Sequence, residues 1–165
     1  MNVFILDEDP TISASMLCNK HVLKMLVESC QILCNCFDID KVPYKRTHYN
    51  HPCCVWARQY KDNYLWVLNH AKALCVEYSK RYNKIHKCES VLDCLPDSRL
   101  KYGSSDFIQA VPDKYKKVGA VDAYQEYYVN DKLHFCKWMS EKQIPDFVKQ
   151  FVHTNGLDIN DYIRL

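Results

Sequence analysis

Apolar positions recur along this chain mostly at helical spacing. The first five residues after Met1, "NVFIL", are an exception: with β-branched Val3 and Ile5 and aromatic Phe4 they predict one short strand. "DEDP" ends it, with Asp9 placed to cap a helix and Pro10 at its first position. From there to about Phe37 the pattern is helical, with a break near Asn19. Residues 38–52 read as a loop, and a helix starts at Pro52, runs through Trp56 and Arg58 and resumes at Asp62. In "DNYLWVLNHAKALCVEYSKRYNK", residues 62–84, the apolar positions Leu65, Leu68, Ala71, Leu74, Cys75 and Tyr78 predict a long amphipathic helix. "ESVLDCL" predicts one or two turns, and residues 96–120 are irregular. Residues 120–139 predict another helix, and "IPDFVKQFVHTNG" a last one between Pro145 and Asn155-Gly156. The reading is mainly α: a single compact helical domain over residues 1–165 with one short N-terminal strand.

Composition narrows the class. Three glycines in 165 residues argue against a β-sandwich built on tight turns. The net charge of +2 is far from that of a sequence-independent nucleic-acid coat, although a basic cleft needs only a local excess. Ten cysteines would fit a disulfide framework in a secreted protein. Here the N-terminus has no signal-peptide pattern, and several cysteines fall at helical core positions, where a thiol acts as a small hydrophobe. Reduced thiols in the cytoplasm or nucleus of a host cell are expected, with no secretion. No apolar run reaches the ~18 residues that a membrane span requires.

The segment "NKHVLKMLVESCQIL", residues 19–33, raises the functional question. On a helical wheel Lys20, His21, Lys24, Glu28 and Gln31 share an arc of roughly 100°. Val22, Leu23, Leu26, Val27, Cys30, Leu33 and Cys34 cover most of the other side. Such a stripe is either the solvated back of a surface helix, with Lys24 and Glu28 as an i,i+4 pair, or the lining of a site. "YKRTHYNHPCCVWARQ", residues 44–59, favours a site, because it interleaves Arg46, His48, Asn50, His51 and Arg58 with Tyr44, Tyr49 and Trp56. Cations among aromatics suit phosphate contact together with base stacking. "EYSKRYNKIHK", residues 77–87, adds Arg81 and His86, and Tyr64 is a further stacking candidate. Phosphate-loop, dinucleotide and nucleophile-elbow motifs are absent, and no Cys/His set has the paired spacing of a zinc module. No cofactor and no metal are expected.

Several separated segments together carry a resemblance: "NVFILDEDP", "KHVLKMLVE", "THYNHPCCVWAR", "NYLW", "EYSKRYNKIH", "QAVPDKYK" and "AYQEYY". In this order they resemble a family of small, uncharacterised helical proteins of phages and large DNA viruses, over roughly residues 2–138. More distantly, the chain is similar to the small helical pyrimidine-dimer DNA glycosylases of phages. Those carry a His and then a Glu on one face of an early helix, which here are His21 and Glu28. The resemblance implies an N-terminal amine that attacks the sugar and a glutamate that manages protons. This chain begins Met1-Asn2, and Asn is a poor residue to follow a removed methionine, so Lys20 or Lys24 is expected in the amine's place. His48, His51 and Arg58 are then expected on the phosphates, with Trp56, Tyr49 or Tyr64 stacked on an extruded base. The partner is DNA or a nucleotide. An enzyme for free nucleotides or hypermodified bases, and a non-catalytic binder of nucleic acid or a host protein, are the alternatives.

Overall fold

The computed structural model describes residues 1–164. Seven α-helices form among them: α1 (Pro10–Met16), α2 (Asn19–Cys34), α3 (Pro52–Gln59), α4 (Lys61–Tyr82), α5 (Cys88–Asp93), α6 (Ala120–Tyr127) and α7 (Asp146–Thr154). The starts of α1 and α3 have a local cause. Asp9 accepts hydrogen bonds from the Thr11 and Ile12 N–H groups ahead of Pro10. His51 does the same for α3, its Nδ1 accepting from the Cys53 N–H. The first turn of α2 has no side-chain cap; the Tyr128 hydroxyl takes the Cys18 N–H and the Lys137 carbonyl takes the Asn19 N–H. α4 ends where Asn83 adopts the left-handed conformation.

α4 packs against α1, α2 and α3. Its buried stripe runs through Tyr64, Val67, Ala71, Leu74 and Cys75, so Leu65 falls outside it and is exposed. The apolar side of α2 is likewise narrower than its wheel predicts, for Leu23 and Val27 are exposed. Eight of the ten cysteines are buried in the core. No helix is long and apolar enough to cross a membrane among the described residues.

Two predicted elements differ. The N-terminal strand does not form, and among the described residues the bridge between Trp138 and Ile163 is isolated. Val3, Ile5 and Leu6 are completely buried, and Phe4 sits at φ 48°, outside the extended region. With no neighbouring strand, the segment finds partners singly: the Leu6 N–H donates to Ser13 Oγ, and the Leu6 carbonyl accepts from Gln125. The helix predicted over 120–139 stops at Tyr127, passes through a π turn over Tyr128–Lys132 and a tight turn over Leu133–Phe135, then extends. The wider turn swings Lys132 and Phe135 towards the start of the chain.

Candidate active site

Glu28 lies in the third turn of α2 with its side chain 14% exposed. Its Oε2 accepts the Asn2 backbone N–H at 2.7 Å and lies 3.8 Å from the Met1 α-amine. Its Oε1 is 3.7 Å from Lys24 Nζ. The carboxylate therefore stands between two amines and is fixed by one backbone donor.

The sequence fastens the chain start firmly. Asn2 Oδ1 accepts from the Val3 and Phe4 N–H groups, and Asn2 Nδ2 donates to the Ala110 carbonyl. The Met1 side chain is 2% exposed, with its sulfur 3.4 Å from the Cys54 thiol. Around this point opens a cleft of about 280 Å³ lined by Met1, Asn2, Phe4, Lys20, His21, Lys24, Met25, Glu28, Tyr127, Lys132 and Phe135. Cationic groups rim it and aromatic rings wall it. Lys20 Nζ lies 4.8 Å from the Phe135 ring centre, and Lys132 Nζ 4.6 Å from that of Tyr127. Such a place favours a substrate with phosphate on its outside and a flat or sugar-like group inside.

His21 is not a free member of this stripe. Its ring is buried, stacked on Phe4 at 4.6 Å, with Nδ1 2.8 Å from the Tyr128 hydroxyl. Lys20 and Lys24 are both exposed, so neither has the desolvation that makes a lysine strongly nucleophilic.

The second motif lies next door. Arg46 and Arg58 both lie over the Tyr49 ring, at 4.4 and 3.8 Å from its centre. With Asn35, Lys41 and Arg99 they line a separate cleft of about 540 Å³ that also holds Asp38 and Asp97. The two clefts share a wall: Asn35 Nδ2 donates to Cys54 Sγ, which touches the sulfur of Met1. His51 joins them electrically. Burial and the Met1 amine push its pKa down, while Glu28 pulls it up. His48 and Asn50 are exposed and line neither cleft, His48 at φ 49° with its ring on the Thr47 hydroxyl.

Other candidates are held in structural contacts. Trp56 is buried, donates to the Asp106 carbonyl and packs on Trp66 and Phe107. Tyr64 is buried with its ring edge-on to Phe37. Arg81 is buried, paired with Glu77 at 3.0 Å and bonded to the carbonyls of Ser15 and Leu17. His86 accepts the Cys88 N–H at the start of α5.

The model of the pyrimidine dimer DNA glycosylase family matches residues 1–90. That is more than half of the chain, and it spans both Glu28 and the Arg46–Arg58 motif. The chain belongs to the pyrimidine dimer DNA glycosylase family. No curated protein and no solved structure matches it. As a member of the pyrimidine dimer DNA glycosylase family, it takes the DNA glycosylase class at family level and DNA as the matching class of partner. Tyr127, Lys132 and Phe135 lie beyond the matched segment and complete the cleft from the other half of the chain. Sequence reading missed them, together with Asn2 and Phe4, and set the Met1 amine aside in favour of Lys20 or Lys24. The π turn that delivers Lys132 carries no periodic signal, and Phe4 reads as a plain strand residue.

Proposed function

We propose that the protein is a DNA glycosylase/lyase in which an amine beside Glu28 attacks the sugar of a damaged nucleotide. The observation that carries this reading is Glu28 itself, a shielded carboxylate 3.8 Å from the Met1 α-amine at the base of a cation-rimmed cleft.

The amine forms a bond to C1′ as the glycosidic bond breaks, and the base departs with the bonding electrons and takes up a proton. Opening of the sugar leaves an iminium ion between C1′ and the amine. Glu28 steadies the positive charge and then removes a C2′ proton, so that the 3′ C–O bond breaks by β-elimination and the phosphate leaves. Of the two amines the Met1 α-amine is favoured. It is anchored by a buried side chain on the shielded face of Glu28, whereas the Lys24 side chain is exposed. The buried methionine side chain gives this amine a fixed seat. Lys24, 3.7 Å from Oε1, is the second reading. The basic cleft at Arg46 and Arg58 holds the backbone phosphates beside the reacting nucleotide.

Borohydride trapping on duplexes that carry a pyrimidine dimer or an abasic site tests this. A reduced adduct is expected on the N-terminal peptide, located by mass spectrometry; an adduct on the Lys24 peptide selects the second reading. If folded protein yields neither adduct nor strand cleavage, the glycosylase/lyase reading falls. Turnover of mononucleotides without any response to duplexes identifies a nucleotide enzyme instead.

A further inference from the structure

Cys18, His21 and Cys136 meet in the core, although 115 residues separate His21 from Cys136. One ligand atom from each, two sulfurs and a ring nitrogen, lies within 4.8 Å of the others. All three residues are at most 4% exposed. We propose that they bind a thiophilic metal ion, with Zn²⁺ the best fit.

The chemistry of the set selects the ion. Two thiolates and an imidazole suit zinc, whose tetrahedral bonds of ~2.3 Å to sulfur and ~2.0 Å to nitrogen put ligand atoms about 3.5–3.8 Å apart. The observed spread closes to that with a contraction of no more than about 1.3 Å. Hard ions such as magnesium and calcium prefer oxygen ligands and are disfavoured. The Tyr128 hydroxyl, 2.8 Å from His21 Nδ1 and 3.0 Å from the Cys18 N–H, is an oxygen at hand for a fourth position.

The frame around the set is independent of any ion. The Asn19 N–H donates to the Lys137 carbonyl at 2.8 Å, and Trp138 Nε1 donates to the Met16 carbonyl at 3.1 Å. These bonds hold the residues after Cys136 against those around Cys18, so the ligands converge before metal arrives. Cys18 precedes the first turn of α2 and His21 lies in it, beside Lys20. Cys136 follows Phe135 directly. The ion joins two walls of the Glu28 cleft from behind and stiffens them. It is structural, because its surroundings are buried.

The test uses the full chain, purified under reductant, with Zn²⁺ and Co²⁺ as probes. One ion per chain is expected, and the cobalt form should show thiolate-to-cobalt charge-transfer absorption with tetrahedral d–d bands. Cys18→Ser and Cys136→Ser should each lose that absorption, while Cys94→Ser, at an exposed cysteine, keeps it. A chelator should lower the Tm of the wild type. The wild-type measurement decides alone if the serine variants do not fold. Reduced, folded protein that takes up neither ion overturns the proposal. So does cobalt absorption that survives in both serine variants, or a Cys18–Cys136 disulfide in protein that binds no ion once reduced.

Discussion

Glu28 holds its place because each oxygen has its own cation and one also has a backbone donor. Glu28→Gln keeps the shape and removes the charge. With Glu28 as the proton-handling group, trapping and strand cleavage should fall by about 10²–10⁴-fold, the usual range for losing a general acid–base group, with DNA affinity little changed. A gel-shift titration run beside single-turnover cleavage separates the two. His70 bears on stability instead. It is fully buried in α4, stacked on Trp66 at 5.1 Å, and neither ring nitrogen has a partner among the described residues. Burial pushes its pKa from 6.5 down to about 3. The unfolded chain takes up this proton near pH 6.5 and the folded protein does not, so stability is full above that pH and falls as pH drops towards 3. The slope from this one group is about 1.4 kcal/mol per pH unit in that window. Urea melts between pH 7.5 and 5 should show it, and His70→Phe should flatten it.

At the scale of elements, the joint between α1 and α2 depends on α4. Arg81 reaches from the last turn of α4 to the carbonyls of Ser15 and Leu17, which end α1 and have no helical partner. Its charge is met by Glu77 one turn earlier. Arg81→Ala leaves Glu77 with only the exposed Lys80 as its cation and takes the donor from two carbonyls, so a loss of about 1–3 kcal/mol is expected, measured by denaturant unfolding. Cleavage activity at a temperature where the variant is folded should be nearly retained, because Arg81 is away from the cleft residues. A larger effect on activity than on stability would give Arg81 a role in the reaction. The segment Val3–Leu6 is an element of another kind: its backbone is placed by side chains and by α6, and it carries the amine to Glu28.

For the whole molecule, the layout is two clefts on either side of a thin partition made by Met1, Cys54 and Asn35. One holds the carboxylate and amines, the other the stacked arginines. If the second cleft carries phosphates, Arg46→Ala and Arg58→Ala should each flatten the slope of log affinity against log salt, by about 0.9 for each phosphate that the variant no longer neutralises. The rate of the trapped step at saturating DNA should not change. Fluorescence anisotropy at several salt concentrations checks the first, and rapid-quench trapping the second. An unchanged salt slope in both variants would take the DNA backbone away from this cleft.

The helices were legible because local rules make them: Asp9 and Pro10 open α1, Pro52 opens α3, and apolar positions from Leu65 to Tyr78 repeat at helical spacing, although the buried stripe of α4 runs through Tyr64 and Val67 instead of Leu65. Glu28 was legible as well, since four residues separate it from Lys24 and seven from His21, and helical geometry alone brings those side chains to one face. What surrounds that face was not. Met1, Asn2, Lys132 and Phe135 reach Glu28 through an N-terminal segment with no strand to pair with and a π turn that breaks a helical pattern, and neither event leaves a periodic trace. Burial decided the rest. Trp56, Tyr64 and Arg81 have the chemistry of binding residues, but whether an aromatic or a cation faces solvent or core depends on packing between distant elements. So residue type and spacing determined the helices and the acid at the centre. Only the tertiary structure decided which amines, rings and cations stand around it, because those contacts join residues far apart in the chain.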